Sequence, residues 1–308
     1  MARISPPEIL PRETGPTDPR VGHLLGSRLG TSAPRAVLLG FPSDEGVRRN
    51  GGRIGAALGP GALRKALYHF APDARSDRMQ DLLGHTQDLG DLETSGDVES
   101  DQRNLGETLT THLARGTFVI VLGGGHETSY GHFLGYAIAG HPVEILNWDA
   151  HADVRELKEG KGHSGSPFRQ AVEDSSRACR RYSVAGLQPH AVARAHLDFV
   201  QRHGRVLWRD EISPRSIEGL YSQLESPTLV SFDLDAVTQA EAPGVSAPNS
   251  GGLSSDLWLK AAFEAGRSPW VTSADVVELN PHLDPDGQTA RLAALTVWWL
   301  LRGRAERR

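Results

Sequence analysis

The feature that most constrains how this chain can fold is an alternation of short apolar runs with helix-like stretches. The runs are Ala36–Phe41, Phe118–Leu122, Val143–Trp148, Arg181–Gly186, Val206–Trp208, Thr228–Phe232 and Val271–Val277. The helix-like stretches are Pro60–Phe70, Asp97–Arg115, Ser129–Ala139, Pro189–Gln201, Ser213–Leu224, Ser254–Gly266 and Thr289–Leu301. Runs this short and apolar throughout suit strands buried on both faces. Strands that alternate with helices suit a mostly parallel central sheet flanked by helices, an α/β architecture. No Pro/Gly/Ser linker interrupts the pattern, so residues 34–308 are expected to form a single domain. Residues 1–33, rich in Pro, Gly, Ser and Thr, are expected to be an extended N-terminal extension. Arg302 to Arg308 are expected to form a solvated charged tail.

In open α/β sheets, ligands collect beyond the carboxyl ends of the strands, and three of the predicted strand ends carry metal-ligating residue types. Phe118–Leu122 runs into Gly123-Gly124-Gly125-His126-Glu127, Val143–Trp148 into Asp149-Ala150-His151-Ala152-Asp153, and Thr228–Phe232 into Asp233-Leu234-Asp235. In extended backbone, side chains two apart share a face, so each Asp-x-Asp or Asp-x-His-x-Asp can point at one site. The glycines before His126 remove side-chain bulk and let backbone crowd that site. A single motif of this kind is as readily read as loop or helix-cap chemistry. Three of them at three strand ends are better read as one metal site. Four aspartates carry four negative charges, which two divalent cations would neutralise. Oxygen-rich ligands with a minority of imidazole favour manganese. The expected ligands are His126, Asp149, His151, Asp153, Asp233 and Asp235, holding two Mn2+.

Composition excludes several other classes. With 38% hydrophobic and 23% charged residues the chain can bury an ordinary globular core. A net charge of −5 gives no electrostatic reason to expect nucleic acid or an anionic membrane as partner. Cys179 is the one cysteine, which rules out an intramolecular disulfide and a thiolate zinc cluster. The opening residues lack the apolar core of a signal peptide, and no run is long enough to span a bilayer, so a cytoplasmic location is expected.

At these motifs the sequence resembles the arginase–agmatinase (ureohydrolase) family, from about Ala36 to Leu301. The resemblance implies a three-layer arginase-like α/β fold, a binuclear manganese centre, hydrolysis of C–N bonds in linear amidines, and a homo-oligomer. Three segments resemble the branch that hydrolyses N-formimidoyl-L-glutamate in histidine degradation: Asp44–Asn50, the Gly-Gly-Gly-His-Glu form of the first motif, and Ser164–Gln170. A fourth, Asp275–Pro281, is similar to a segment shared across the family. The resemblance implies L-glutamate and formamide as products, with a metal-activated water as nucleophile. Other branches would release urea from agmatine, arginine or guanidino acids. A metal-containing binding protein without turnover is the reading outside enzymes.

Asp153 is the candidate to protonate the leaving amine, and Glu278 the candidate acceptor for the cationic amidine. Relatives that release urea use a histidine as proton shuttle in the loop before the Pro-Phe-like segment. Here Ser164 stands at that place with His163 beside it, so His163 is either the shuttle or a surface histidine. A glutamate-bearing substrate needs guanidinium partners for its carboxylates. Arg48, Arg49, Arg53, Arg155, Arg169 and Arg291 are the candidates, with Arg49 and Arg169 in the branch-specific segments.

Overall fold

The computed structural model describes residues 3–7, 9, 11, 13–15 and 17–307. Among these, nine strands form one sheet: β1 (Ile4–Ser5), β2 (Ala36–Phe41), β3 (Thr86–Leu92), β4 (Phe118–Gly123), β5 (Val143–Trp148), β6 (Cys179–Leu187), β7 (Val206–Trp208), β8 (Thr228–Asp233) and β9 (Val271–Val277). Their spatial order is β1-β3-β2-β4-β9-β8-β5-β6-β7. Every neighbouring pair is parallel except β1 with β3.

Every residue of β2, β4 and β8 is buried, because successive side chains enter a core on each face. Leu38, Ile120, Trp148 and Phe232 face one core, shared with helices Gly59–Leu67, Ser255–Arg267 and Gln288–Ala305. Leu39, Val121, Ile145 and Leu229 face the other, which helices Val98–Ala114 and Thr128–Ala139 close with Leu105, Leu109 and Phe133. Burying both faces in this way requires three layers: helices, sheet, helices.

Sequence expectation and structure agree on the bounds of β2, β5, β7 and β9. They differ where charge hides the pattern. The strand β3 carries Asp88 and Asp91, and it has no apolar run to announce it. Those carboxylates pair with the buried Arg64, whose Nε lies 2.8 Å from Asp88 and whose Nη2 donates to the Gly90 carbonyl at 2.7 Å. Two segments expected to be extended or solvated are built into the fold. Within the N-terminal segment, Ile4–Ser5 pairs with β3 and Val21 is fully buried. At the other end the last helix runs on to Ala305, Arg302 pairs with the buried Asp73 at 2.6 Å, and Arg307 donates to the Gly266 and Val271 carbonyls. Arg308 lies outside the described residues.

The strand order positions the site. β4 and β5 are consecutive in sequence, yet β9 and β8 lie between them. The chain passes over two strand positions there and fills them with β8 and β9 on its return after β7. The helix after β4 packs on one face and those after β8 and β9 on the other, leaving a crevice at the carboxyl ends of four adjacent strands.

Candidate metal centre

All three motifs converge in that crevice. At the end of β4 the three glycines allow a close backbone approach: a Cβ on Gly124 would collide with the carbonyl oxygen of Ser43. Gly125 N donates to that same carbonyl at 2.8 Å. The chain then turns into helix Thr128–Ala139, and His126 is left at the floor, 1% exposed.

At the ends of β5 and β8 the first aspartate folds the chain over itself. Asp149 accepts a hydrogen bond from the His151 amide at 2.6 Å, and Asp233 accepts one from the Asp235 amide at 2.8 Å. These side-chain-to-backbone turns bring the residue two positions on back toward the site. Asp235 therefore reaches it from a short 3-10 turn, Leu234–Ala236, and not from the extended backbone that the Asp-x-Asp spacing suggested. Asp153 has a φ of 44°, in the left-handed region that aspartate tolerates better than most residues.

The side chains form two groups, each with its ligand-type atoms within 4.8 Å of one another: His126, Asp149, Asp153 and Asp233, and Asp149, His151 and Asp235. Asp149 belongs to both. His126 Nδ1 lies 2.9 Å from Asp153 Oδ2, 2.9 Å from Asp233 Oδ2 and 3.6 Å from Asp149 Oδ2. His151 Nδ1 lies 3.1 Å from Asp235 Oδ2 and 3.4 Å from Asp149 Oδ1.

Two observations fit this cluster to a pair of cations. Among the described residues, His126 Nδ1 and Asp235 Oδ1 are buried yet make no hydrogen bond, which is costly for polar atoms that lack a ligand. The cluster is also electrostatically frustrated by itself. Burial, then the neighbouring Asp235 and Asp149, hold the Asp233 carboxyl well above the usual carboxylate range. Burial pushes Asp235 up to about 6, opposed by the His151 ring. His151 is raised by the Asp235 carboxylate, and His126, although buried, is raised by Asp233 and Asp153. Protons are held where positive charge is lacking, and divalent ions would replace them.

A cavity of about 230 Å³ opens above the cluster, with Asn50, Arg155, Ser164 and Glu278 on its wall beside His151 and Asp153. Glu278 leaves β9 with a φ of 69°, and its amide donates to the Gly124 carbonyl at 2.8 Å. Its Oε1 accepts from the His126 amide at 2.8 Å, which ties it to the metal-ligand floor. Burial, with Glu127 adding to it, pushes this carboxyl up to about 8.

Three expected residues lie elsewhere. Arg49 pairs with Glu99 at 2.7 Å and donates to the Gly162 carbonyl, and Arg169 pairs with Glu173 at 2.8 Å. Neither lines the cavity; both guanidinium groups brace its supporting loops, and Arg155 is the arginine on the wall. His163 is neither on the surface nor on the cavity wall. It is 1% exposed, with Nδ1 accepting from the Gly165 amide at 3.1 Å and Nε2 bonded to the Glu156 carbonyl at 3.0 Å. Both ring nitrogens are occupied in holding the loop that presents Ser164. Sequence reasoning missed Asn50 and Ser164, although both sit in the segments that carry the branch resemblance. A search of those segments for neutral hydrogen-bonding side chains, and not for arginines alone, would have found them.

Comparison with known proteins agrees with this geometry. The arginase family model matches residues 34–302. The formimidoylglutamase of Nocardia farcinica is 38% identical over 302 residues, covering 92% of this chain and 94% of that protein. That of Chromobacterium violaceum is 37% identical over 284 residues, covering 88% of each chain. The crystal structure of Trypanosoma cruzi formiminoglutamase with Mn2+2 superposes with a TM-score of 0.84 at 33% identity, covering 94% of this chain and all of that one. A strand order that builds a crevice at its switch point, six ligand-type side chains within it, and a family match over most of the length lead to one conclusion: this chain belongs to the arginase family.

Proposed function

We propose that this chain is a binuclear manganese hydrolase that cleaves the formimidoyl C–N bond of N-formimidoyl-L-glutamate, a step of histidine degradation. The observation that carries the reading is the pairing, on one small cavity, of a carboxylate, Glu278, and a guanidinium, Arg155, above six ligand-type side chains. That is the complement of a substrate with a cationic amidine at one end and carboxylates at the other. The choice of formimidoyl over guanidino substrate is supported by the formimidoylglutamase relatives and by the likeness to the T. cruzi formiminoglutamase with Mn2+2.

His126, Asp149, Asp153 and Asp233 would hold one ion, and Asp149, His151 and Asp235 the other. Such cations would lower the pKa of a nearby water and stabilise negative charge that develops during attack. The chain's own groups do the rest. Arg155, with Asn50 and Ser164 beside it, binds a substrate carboxylate: Arg155 Nη1 donates to Asn50 Oδ1 at 3.4 Å, and Asn50 Nδ2 donates to Ser164 Oγ at 3.1 Å. Glu278 accepts from the amidine N–H groups and fixes its plane. Asp153, on the cavity wall, carries a proton to the leaving nitrogen. The water oxygen joins the formimidoyl carbon, the bond from that carbon to the glutamate nitrogen breaks, and the products are formamide and L-glutamate.

The reading includes a cytoplasmic homo-oligomer. Ile54 and Leu58, shortly after the cavity residues Gly51 and Gly52 in sequence, are large apolar side chains 58% and 52% exposed. No helix among the described residues is long and apolar enough to cross a membrane. The test is a substrate panel on the manganese-loaded protein: N-formimidoyl-L-glutamate, L-arginine, agmatine and 4-guanidinobutyrate. Formamide and glutamate from the first are expected; urea from any of the others, with none of those products, would overturn the reading.

A further inference from the structure

Asp275 opens the segment whose Glu278 faces the cavity, but it lies behind the ligands and has no part in the chemistry above. It is fully buried, on β9, directly opposite Ser231 of β8 in the sheet register. Three donors converge on it. Ser231 Oγ donates to Oδ1 at 2.5 Å, Ser129 Oγ donates to Oδ1 at 3.1 Å, and His132 Nδ1 donates to Oδ2 at 2.8 Å. Ser129 and His132 stand one turn apart on helix Thr128–Ala139, the helix that begins two residues after His126. A carboxylate only accepts, so these contacts have one direction.

That direction propagates. Ser231 has a single hydroxyl proton, and the short bond to Asp275 uses it. Its oxygen, which also lies 3.0 Å from Ser129 Oγ, can then only accept from the His126 ring, whose Nε2 lies 3.0 Å away. In the neutral ring that an ion would require, the hydrogen must then sit on Nε2, leaving the lone pair of Nδ1 facing Asp149, Asp153 and Asp233. We propose that Asp275, acting through Ser231, is a positioning residue for the His126 half of the centre, presenting Nδ1 to the ion held there. The inference rests on the binuclear-metal reading and deepens it.

The other half has no such support. His151 is half-buried, and among the described residues its ring has only the Asp149 and Asp235 carboxylates as neighbouring charged partners. Disturbing the Asp275 relay should therefore affect the two ions unequally. Asn147 provides the contrast: its Nδ2 donates to Asp149 Oδ2 at 2.9 Å, and Asp149 belongs to both groups.

The experiment titrates the metal-free protein with Mn2+ alone, by calorimetry and by electron paramagnetic resonance, for the parent chain and for Ser231→Ala, Asp275→Asn and Asn147→Ala. The parent is expected to bind two ions and give a spin-coupled signal. Ser231→Ala and Asp275→Asn should bind one ion as the parent does and the second about 10- to 100-fold more weakly, with an uncoupled signal at intermediate metal. Asn147→Ala should weaken both. Equal weakening of both ions in Ser231→Ala, or parent-like binding of both, would overturn the proposal. Ser231→Ala removes a single buried oxygen and carries the test should Asp275→Asn fail to fold. A parent that takes up no manganese would overturn the binuclear reading itself, a result separable from the others.

Discussion

Arg155 is the arginine on the cavity wall among the described residues, and it sits two positions after the ligand Asp153. Its guanidinium is exposed toward the cavity mouth and lightly tethered by Asn50, so a substrate carboxylate gains a planar fork without breaking a buried ion pair. A hydrogen bond to a charged group contributes roughly 1.5–3 kcal/mol. Arg155→Ala should therefore lower kcat/KM about 10- to 100-fold, mainly through KM, while both manganese ions still bind. Steady-state kinetics with metal analysis on the same sample would check this. Arg49→Ala makes the contrast: it breaks the pair with Glu99 and should lower the melting temperature more than it raises KM. The six ligand-type side chains that the fold gathers in one crevice were legible in the sequence because metal chemistry restricts such positions to a few residue types at strand ends. The arginine on the cavity wall was not, because any of six arginines satisfied the same rule. Only the fold distinguishes one that faces a cavity from one that braces a loop.

At the scale of elements, the site depends on how closely the end of β4 passes beneath the Ser43 loop. Gly124 has no room for a side chain on that approach, and its carbonyl receives the Glu278 amide. Gly124→Ala should push the Ser43 loop or β4 aside, at a cost of roughly 1–3 kcal/mol. The measurable result is a lower melting temperature together with weaker manganese binding, since His126 and Glu278 both hang from this turn. An unchanged melting temperature would show that the approach is not as tight as described. The strands that carry ligands were legible for the same reason that they are buried: each is an apolar run on both faces. The strand β3 was hidden because Arg64 neutralises aspartates that read as loop residues in sequence. The Asp235 turn was hidden because three residues of 3-10 geometry, Leu234–Ala236, leave the Asp-x-Asp spacing unchanged.

For the whole molecule, the pH response should differ between the metal-free and the metal-loaded protein. Without metal, Asp235 is pushed up to about 6, Glu127 to about 7 and Glu278 to about 8, chiefly by burial. Groups raised in the folded state favour folding below their unfolded values, near 4, and that contribution is lost as pH rises to about 8. The metal-free protein should accordingly lose thermal stability between about pH 5 and 8. The manganese-loaded protein should be more stable at every pH in that window and should gain relative to the metal-free form as pH rises, because fewer protons compete for the ligands. Melting curves of both forms across the window would show it, and parallel curves would contradict it. The most direct test of the centre is a crystal grown with Mn2+ and measured for its anomalous scattering. Two peaks should appear in the crevice, one among His126, Asp149, Asp153 and Asp233 and the other among Asp149, His151 and Asp235, with Asp149 reaching both. A single peak, or none near Asp149, would contradict a binuclear site.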